Sequence, residues 1–342
     1  MMIKKVLFVV LAFSFCLASC KKKDFSLNGE YEDVTILYGL LNPKDSVHYL
    51  KIYKSFLTEG NAYDAAKNIN NFSYIDSIEV TLEEYEGEKL LRTFSFDTTT
   101  AIPKDSGIFA YPLQILYKTT ADLNEDYIYK VGIRNLYTNK KVVASTPLVG
   151  KLKLKYPMFY INKNNTITFI PQKQELEYNK GNNVAYYEAS FELYYTEVLK
   201  NGSRRQPESI VWNVGNTTTE YIYYVGETFL RKIKEGVKED NQVDYRFIDS
   251  VLLHIYTASN DLYLYIQSTA ASTGLNQERW DYTNVKSYAW EDGAYVEDGN
   301  ALGVLSSRGV NTWMFKEISD VTYDSLLFGR YTGHLKFKKY DY

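Results

Sequence analysis

Period-two alternation constrains this chain more than any other feature. In the stretch SIEVTLEEYEG, Ile78, Val80 and Leu82 fall on one side and Glu79, Thr81 and Glu83 on the other. Successive side chains of a strand point to opposite faces, so one apolar and one polar side mark a half-buried strand of an antiparallel sheet. From Val184 the pattern recurs over a longer run, with Ala185, Tyr187, Ala189, Phe191, Leu193 and Tyr195 sharing a side. VTILYGLL and SVHYLKIYKSF read as strands joined by a turn at Asn42–Asp45, where Pro43 presets φ and Asn and Asp bond their own backbone. YIYKVGIRNLYTNKKVVASTPLV reads as a further hairpin, and Asn201-Gly202 is a strong hairpin cue. The 33 tyrosines suit half-buried sheet faces.

Helical spacing interrupts this rhythm near residues 227–239 and 260–273. In the first, Phe229, Leu230, Ile233 and Val237 line one face. In the second, Ser259 is placed as N-cap, Leu262, Ile266 and Ala270 as an apolar stripe, and Gly274 just past the end. The segment from Asn61 is expected to hold one or two helical turns. ALGVLSSRGVNTWMF and the terminal GHLKFKKYDY are expected to be strands. The fold class is therefore mainly β: an immunoglobulin-like or transthyretin-like sandwich over 31–149, then a β-rich domain with one or two helices over 150–342. Length supports two domains, since single hydrophobic cores stop growing beyond about 250–300 residues.

The N-terminus carries a different message. Lys4 and Lys5 precede the apolar run Val6–Phe15, and Leu17, Ala18 and Ser19 lead to Cys20. That is a secretory leader ending in a lipobox, and the run is shorter than the roughly 20 residues a membrane-spanning helix needs. Residues 1–19 are expected to leave as a signal peptide, Cys20 to carry the lipid, and 20–30 to serve as a tether. Cys16 is the only other cysteine and leaves with the leader, so no disulfide holds the fold.

Sites of chemistry are sparse. His48, His254 and His334 are far apart, and no metal, phosphate-loop or nucleophile-elbow motif occurs, so neither metal nor cofactor is implied. No concentrated basic face indicates a nucleic-acid partner. EDGAYVEDGN lacks the order of a calcium loop and reads as a solvated loop. The region from Glu278 to Asn300 reads as a long connection without strand period, in which Trp280 and Trp290 are the candidate contacts for a ligand or protein partner. The alternative class is a hydrolase using two of the 42 acidic residues, with no pair singled out. The aromatic C-terminus resembles an outer-membrane barrel strand, but the two helices and the half-buried sandwich pattern argue against a barrel.

Taken together, the lipobox, ILYGLLNPKDSVHYLKIYKSFL, the ending YIYKVGIRN…TNKKVVASTPLV and SNDLYLYIQS…GNALGVLSSRG resemble Bacteroidetes-type outer-membrane lipoproteins of unknown function. The resemblance implies lipid attachment to the outer membrane, facing periplasm or cell surface, and a non-catalytic binding or accessory role. A TonB-dependent transporter or a glycan is the partner it implies. It carries over no catalytic residue. Lys21, Lys22 and Lys23 depart from the acidic residues that often follow the cysteine in surface-exported relatives.

Overall fold

A computed structural model describes residues 31–157, 165–170, 173–270 and 282–339. The chain opens with β1 (Thr35–Leu41) and β2 (His48–Lys54), an antiparallel pair closed by the expected turn, where Asn42 Nδ2 donates to Asp45 Oδ1 at 2.7 Å. Two single-turn helices follow, α1 (Ala62–Ala65) and α2 (Ile69–Phe72), started by the side chains of Asn61 and Asn68. Then come β3 (Ile78–Glu86), β4 (Lys89–Ser95), β5 (Asp97–Thr99), β6 (Leu116–Thr119), β7 (Ile128–Asn135) and β8 (Lys141–Pro147).

The next stretch comprises β9 (Leu154–Tyr156), β10 (Thr166–Ile167), β11 (Lys173–Tyr178), β12 (Tyr186–Leu199), β13 (Glu208–Thr217), β14 (Tyr221–Val225), α3 (Glu227–Gly236), β15 (Val243–Ala258) and α4 (Asn260–Thr269). The chain closes with β16 (Val285–Glu291), β17 (Ala294–Glu297), β18 (Ala301–Phe315), β19 (Glu317–Ile318), α5 (Asp320–Phe328) and a 3-10 turn at Gly333–Leu335.

These strands build two sandwiches, each with its own core. In the first, the β1–β2–β6–β5 layer faces the layer β17–β16–β8–β7–β3–β4. Leu37, Leu50 and Ile52 from one side meet Val80, Leu82, Val131, Ile133 and Val142 from the other. In the second, the layer β13–β12–β15–β18 is covered by β14–β11–β9, α3 and α5. Its centre is aromatic: Phe169 stacks on Phe229 with ring centroids 3.9 Å apart and meets Phe191 edge-on at 5.0 Å. The cores divide between Leu148 and Val149.

A contiguous second domain over 150–342 is corrected by the sheet pairing. β16 pairs with β8. The first half of β18 runs parallel to β1, from Thr35 beside Ala301 to Leu41 beside Ser307. Its second half pairs with β15 in the other sandwich, from Arg308 to Phe315. Val285, Ala301 and Leu305 accordingly belong to the first core. The close β1–β18 approach depends on Gly303, whose φ is +108° and where a Cβ would strike the Leu37 carbonyl.

Three local expectations also change. Residues 282–300 are not an irregular connection: β16 and β17 form a hairpin, closed by Asp292 and Gly293 at φ +46° and +86°. Both central residues are in the left-handed region, for which Asp-Gly is a favoured pair. GHLKFKKYDY does not return as a strand within residues 333–339; it gives the 3-10 turn and one isolated bridge from Phe337 to Arg246, because the Arg246 guanidinium captures the Leu335 carbonyl. The apolar stripe on α4 is not buried at Ile266, and the buried helical position there is Ser268. α5, capped by Ser319, was not anticipated.

Candidate functional site

Alternation on β3 continues past Leu82, so the next inward side chain is Glu84, only 1 % exposed. A carboxylate on an apolar face needs partners. Arg92, opposite on β4, donates Nε to Glu84 Oε1 at 2.7 Å and Nη2 to Oε2 at 2.6 Å. The Tyr129 hydroxyl, from β7, donates to Oε2 at 2.6 Å and itself accepts the Asn124 N–H at 2.8 Å. The Arg92 bidentate contact holds the Glu84 carboxyl below the usual carboxylate range, with Tyr129 adding to it against the opposing effect of burial. Burial and the Glu84 contact push the Tyr129 phenol well up.

Arg92 itself is half exposed, and its outer edge reaches a cleft of about 400 Å3 where the sandwiches meet. The first sandwich contributes Asn42, Lys44, Asp122, Asn124, Glu125 and Asp126. The link between the cores and β18 contribute Gly150, Lys151, Gly309 and Asn311. The seam is fastened by hydrogen bonds between side chains and backbone. Val149 N–H donates to Ser307 Oγ at 2.9 Å, Leu152 N–H to Asn311 Oδ1 at 3.3 Å, and Lys44 Nζ to the Val310 carbonyl at 2.6 Å. Gly309 lets the link pass, because a Cβ there would press on Thr257 at 2.9 Å and Val149 at 3.2 Å.

The lining mixes cations with carboxylates, and none of its side chains is aromatic. Such a surface offers donors and acceptors to a polar ligand carrying both charges, and no flat ring on which a sugar face could stack. Among the described residues no group of three His, Cys, Asp or Glu side chains is arranged to hold a metal. His48 is buried with Nε2 3.1 Å from the Ala121 carbonyl, and burial lowers its pKa. His254 lies between Thr312 Oγ1 at 3.0 Å and Glu192 Oε2 at 3.3 Å, and His334 stands in the 3-10 turn.

Of the residues singled out from sequence, Cys20 and Trp280 lie outside the described residues. Trp290 stands at the end of β16, 47 % exposed, with its ring edge-on to Tyr295 at 4.7 Å. It sits at the opposite end of the first sandwich from the cleft, since its strand pairs with the beginning of β8. Glu84, Arg92 and Tyr129 were not singled out. The available signal was Glu84 itself, in phase with Ile78, Val80 and Leu82.

No family model matches the chain, and no curated protein matches it. Among solved structures, trypsin-activated alpha-2-macroglobulin from Escherichia coli aligns at 9 % identity and TM-score 0.19, covering 84 % of this chain and 16 % of its own. The chain thus spans a small part of that protein. CBD12 from CALX1.2 aligns at 11 % identity and TM-score 0.15, over 70 % of this chain and 88 % of its own. Neither score carries an argument about function. Among the described residues no helix is long and apolar enough to cross a membrane.

Proposed function

We propose that this is a non-catalytic, lipid-anchored envelope protein that binds a small polar ligand bearing both charges, such as a short peptide, in the seam cleft. The observation that carries the ligand assignment is Arg92, whose guanidinium is oriented by Glu84 while its outer edge lines the cleft. A donor held in place before the ligand arrives loses little freedom on binding. The glycan partner has less support at this site because the lining lacks aromatic rings. Anchoring rests on the leader and Cys20, and work beside a TonB-dependent transporter rests on the sequence resemblance.

Thermal shift with mixed dipeptide and tripeptide pools, beside neutral oligosaccharides, tests the cleft. Peptides should raise the melting temperature of the wild type and not of Asp122→Ala. A shift from oligosaccharides alone would sink the assignment, and turnover of either ligand would favour the rival hydrolase, for which Asp122, Glu125 and Asp126 line the same cleft. Anchoring is tested separately: Cys20→Ala should lose both palmitate labelling and membrane retention.

A further inference from the structure

The two ends of the first sandwich are chemically unlike. At the seam end the turns are polar: Asn42–Asp45, Gly87–Glu88 and Asp122–Asp126. The far end is defined by register, because Thr35 lies beside Lys54 and Ala301, Ile78 beside Asn135, and Lys141 beside Tyr288. There the connections carry apolar side chains into solvent. Tyr63 on α1, Ile108 and Tyr111 in the loop after β5, Tyr137 in the β7–β8 turn and Trp290 on the β16–β17 hairpin are all exposed. The loop is fixed in place, since Ala110 N–H donates to the Ala66 carbonyl at 2.9 Å and Phe109 packs edge-on against Phe72 at 5.2 Å. Connections that face only water are ordinarily polar, and a cluster of exposed apolar groups marks a contact surface.

The same end receives the tether. Tyr31 is held there by its hydroxyl on the Ser55 carbonyl at 3.1 Å. The twelve residues from Cys20 to Tyr31 extend to at most about 40 Å. A lipid on Cys20 therefore tethers the molecule to the bilayer from this end. Lysines accompany the apolar groups, with Lys104 Nζ 5.4 Å from the Phe109 ring centroid and Lys141 Nζ 3.8 Å from that of Tyr295. Lysine stems lie along apolar surface while their ammonium groups stay in water, the arrangement used at membrane interfaces. Asp64 and Asp105 stand among them, so the surface is mixed in charge and the attraction it offers is apolar.

We propose that this end of the first sandwich rests on the lipid surface to which Cys20 is attached, with Ile108 and Tyr111 at the headgroup boundary and the second sandwich directed away from the bilayer. The inference rests on the lipid-anchor reading of Cys20 and deepens it by assigning the contact face. The mature chain offers no competing thiol once Cys20 is acylated, so an introduced cysteine takes an environment-sensitive dye alone. The acylated protein with Ile108→Cys, or Tyr111→Cys as a second exposed position, is reconstituted on phosphatidylcholine vesicles, with and without phosphatidylglycerol. The expected result is a several-fold rise and blue shift of dye emission, quenched by nitroxide lipids and equal in both vesicle types. Phe328→Cys on α5, which is 81 % exposed in the second sandwich, should report water throughout.

A water-like signal at both 108 and 111 while the protein still floats with vesicles overturns the contact face and leaves anchoring intact. Failure to float overturns anchoring and the contact face together. Shielding seen only in native outer membranes, and never on pure lipid, assigns the face to a protein partner and overturns the lipid assignment.

Discussion

Each sandwich buries one carboxylate on an inward strand position, and the two carboxylates are put to different use. Glu197 on β12 meets Arg246 on β15, the largest fully buried side chain among the described residues. Each nitrogen of that guanidinium is engaged: Nε with Glu197 at 2.8 Å, Nη1 with the Leu335 carbonyl at 2.7 Å and Nη2 with the Lys238 carbonyl at 2.8 Å. Arg205 takes the other Glu197 oxygen at 2.6 Å and passes on to Asp240. The result is a clamp that ties the 3-10 turn and the segment after α3 to the sheet. Glu84 holds a half-exposed arginine at the lip of a cleft instead. Similar ion-pair chemistry closes one sandwich and equips the other with an oriented surface donor. The difference lies in whether the arginine is enclosed.

If enclosure is what separates them, removing the two arginines should have unequal consequences. Arg246→Met should cost about 3–5 kcal/mol, because it strands buried carbonyls and half of a buried ion network. Arg92→Met should cost clearly less, since water can follow the departing side chain toward Glu84 and Tyr129 still donates to it. Urea unfolding of both variants measures this, and equal losses would break the comparison. Tyr129→Phe should cost about 1 kcal/mol, the net worth of a buried hydrogen bond, and should loosen the Asn124 turn in hydrogen exchange.

Trp290→Ala sharpens the contrast between core and surface aromatics. At half exposure it should cost less than about 1 kcal/mol, whereas Trp212→Ala, 5 % exposed in the second core, should cost about 3–5 kcal/mol. A thermal melt separates them.

The gentlest effect is pH dependence. The pKa of His48 is lowered by burial from its ordinary 6.5, so the unfolded chain takes up a proton that the folded one resists. Stability from neutral His48 is complete above that value and declines as pH falls below it. Glu84, depressed from 4.5, contributes above its unfolded pKa and loses that contribution as pH falls through the lower folded one. The first sandwich should therefore weaken in two acid stages, followed by hydrogen exchange, with the upper stage removed by His48→Gln and the lower by Glu84→Gln.

Several of the strands were legible in the residues, because alternation and turn chemistry are local. β1 with its Asn42–Asp45 turn, β3, β12 with Asn201-Gly202, and α3 with Phe229, Leu230 and Ile233 all follow from spacing within a few residues. The Asp292-Gly293 turn was equally local, and the density of aromatic and polar residues around it obscured the hairpin. Glu84 showed as a carboxylate in phase with an apolar face, but its partners did not show. Arg92 is eight residues away across a hairpin, and Tyr129 arrives from another strand through sheet register. Nothing in the sequence marks Ala301 as the neighbour of Thr35, or shows that β18 serves two sandwiches. The sequence by itself determined a mainly β chain with a lipobox and a change of pattern near residue 150. Only the tertiary structure decided that 285–307 return to the first core, that a polar cleft opens where the cores meet, and that the exposed apolar connections gather at one end. Each of these depends on pairings across long chain separations, chosen by the collective burial of two cores rather than by any neighbouring residues.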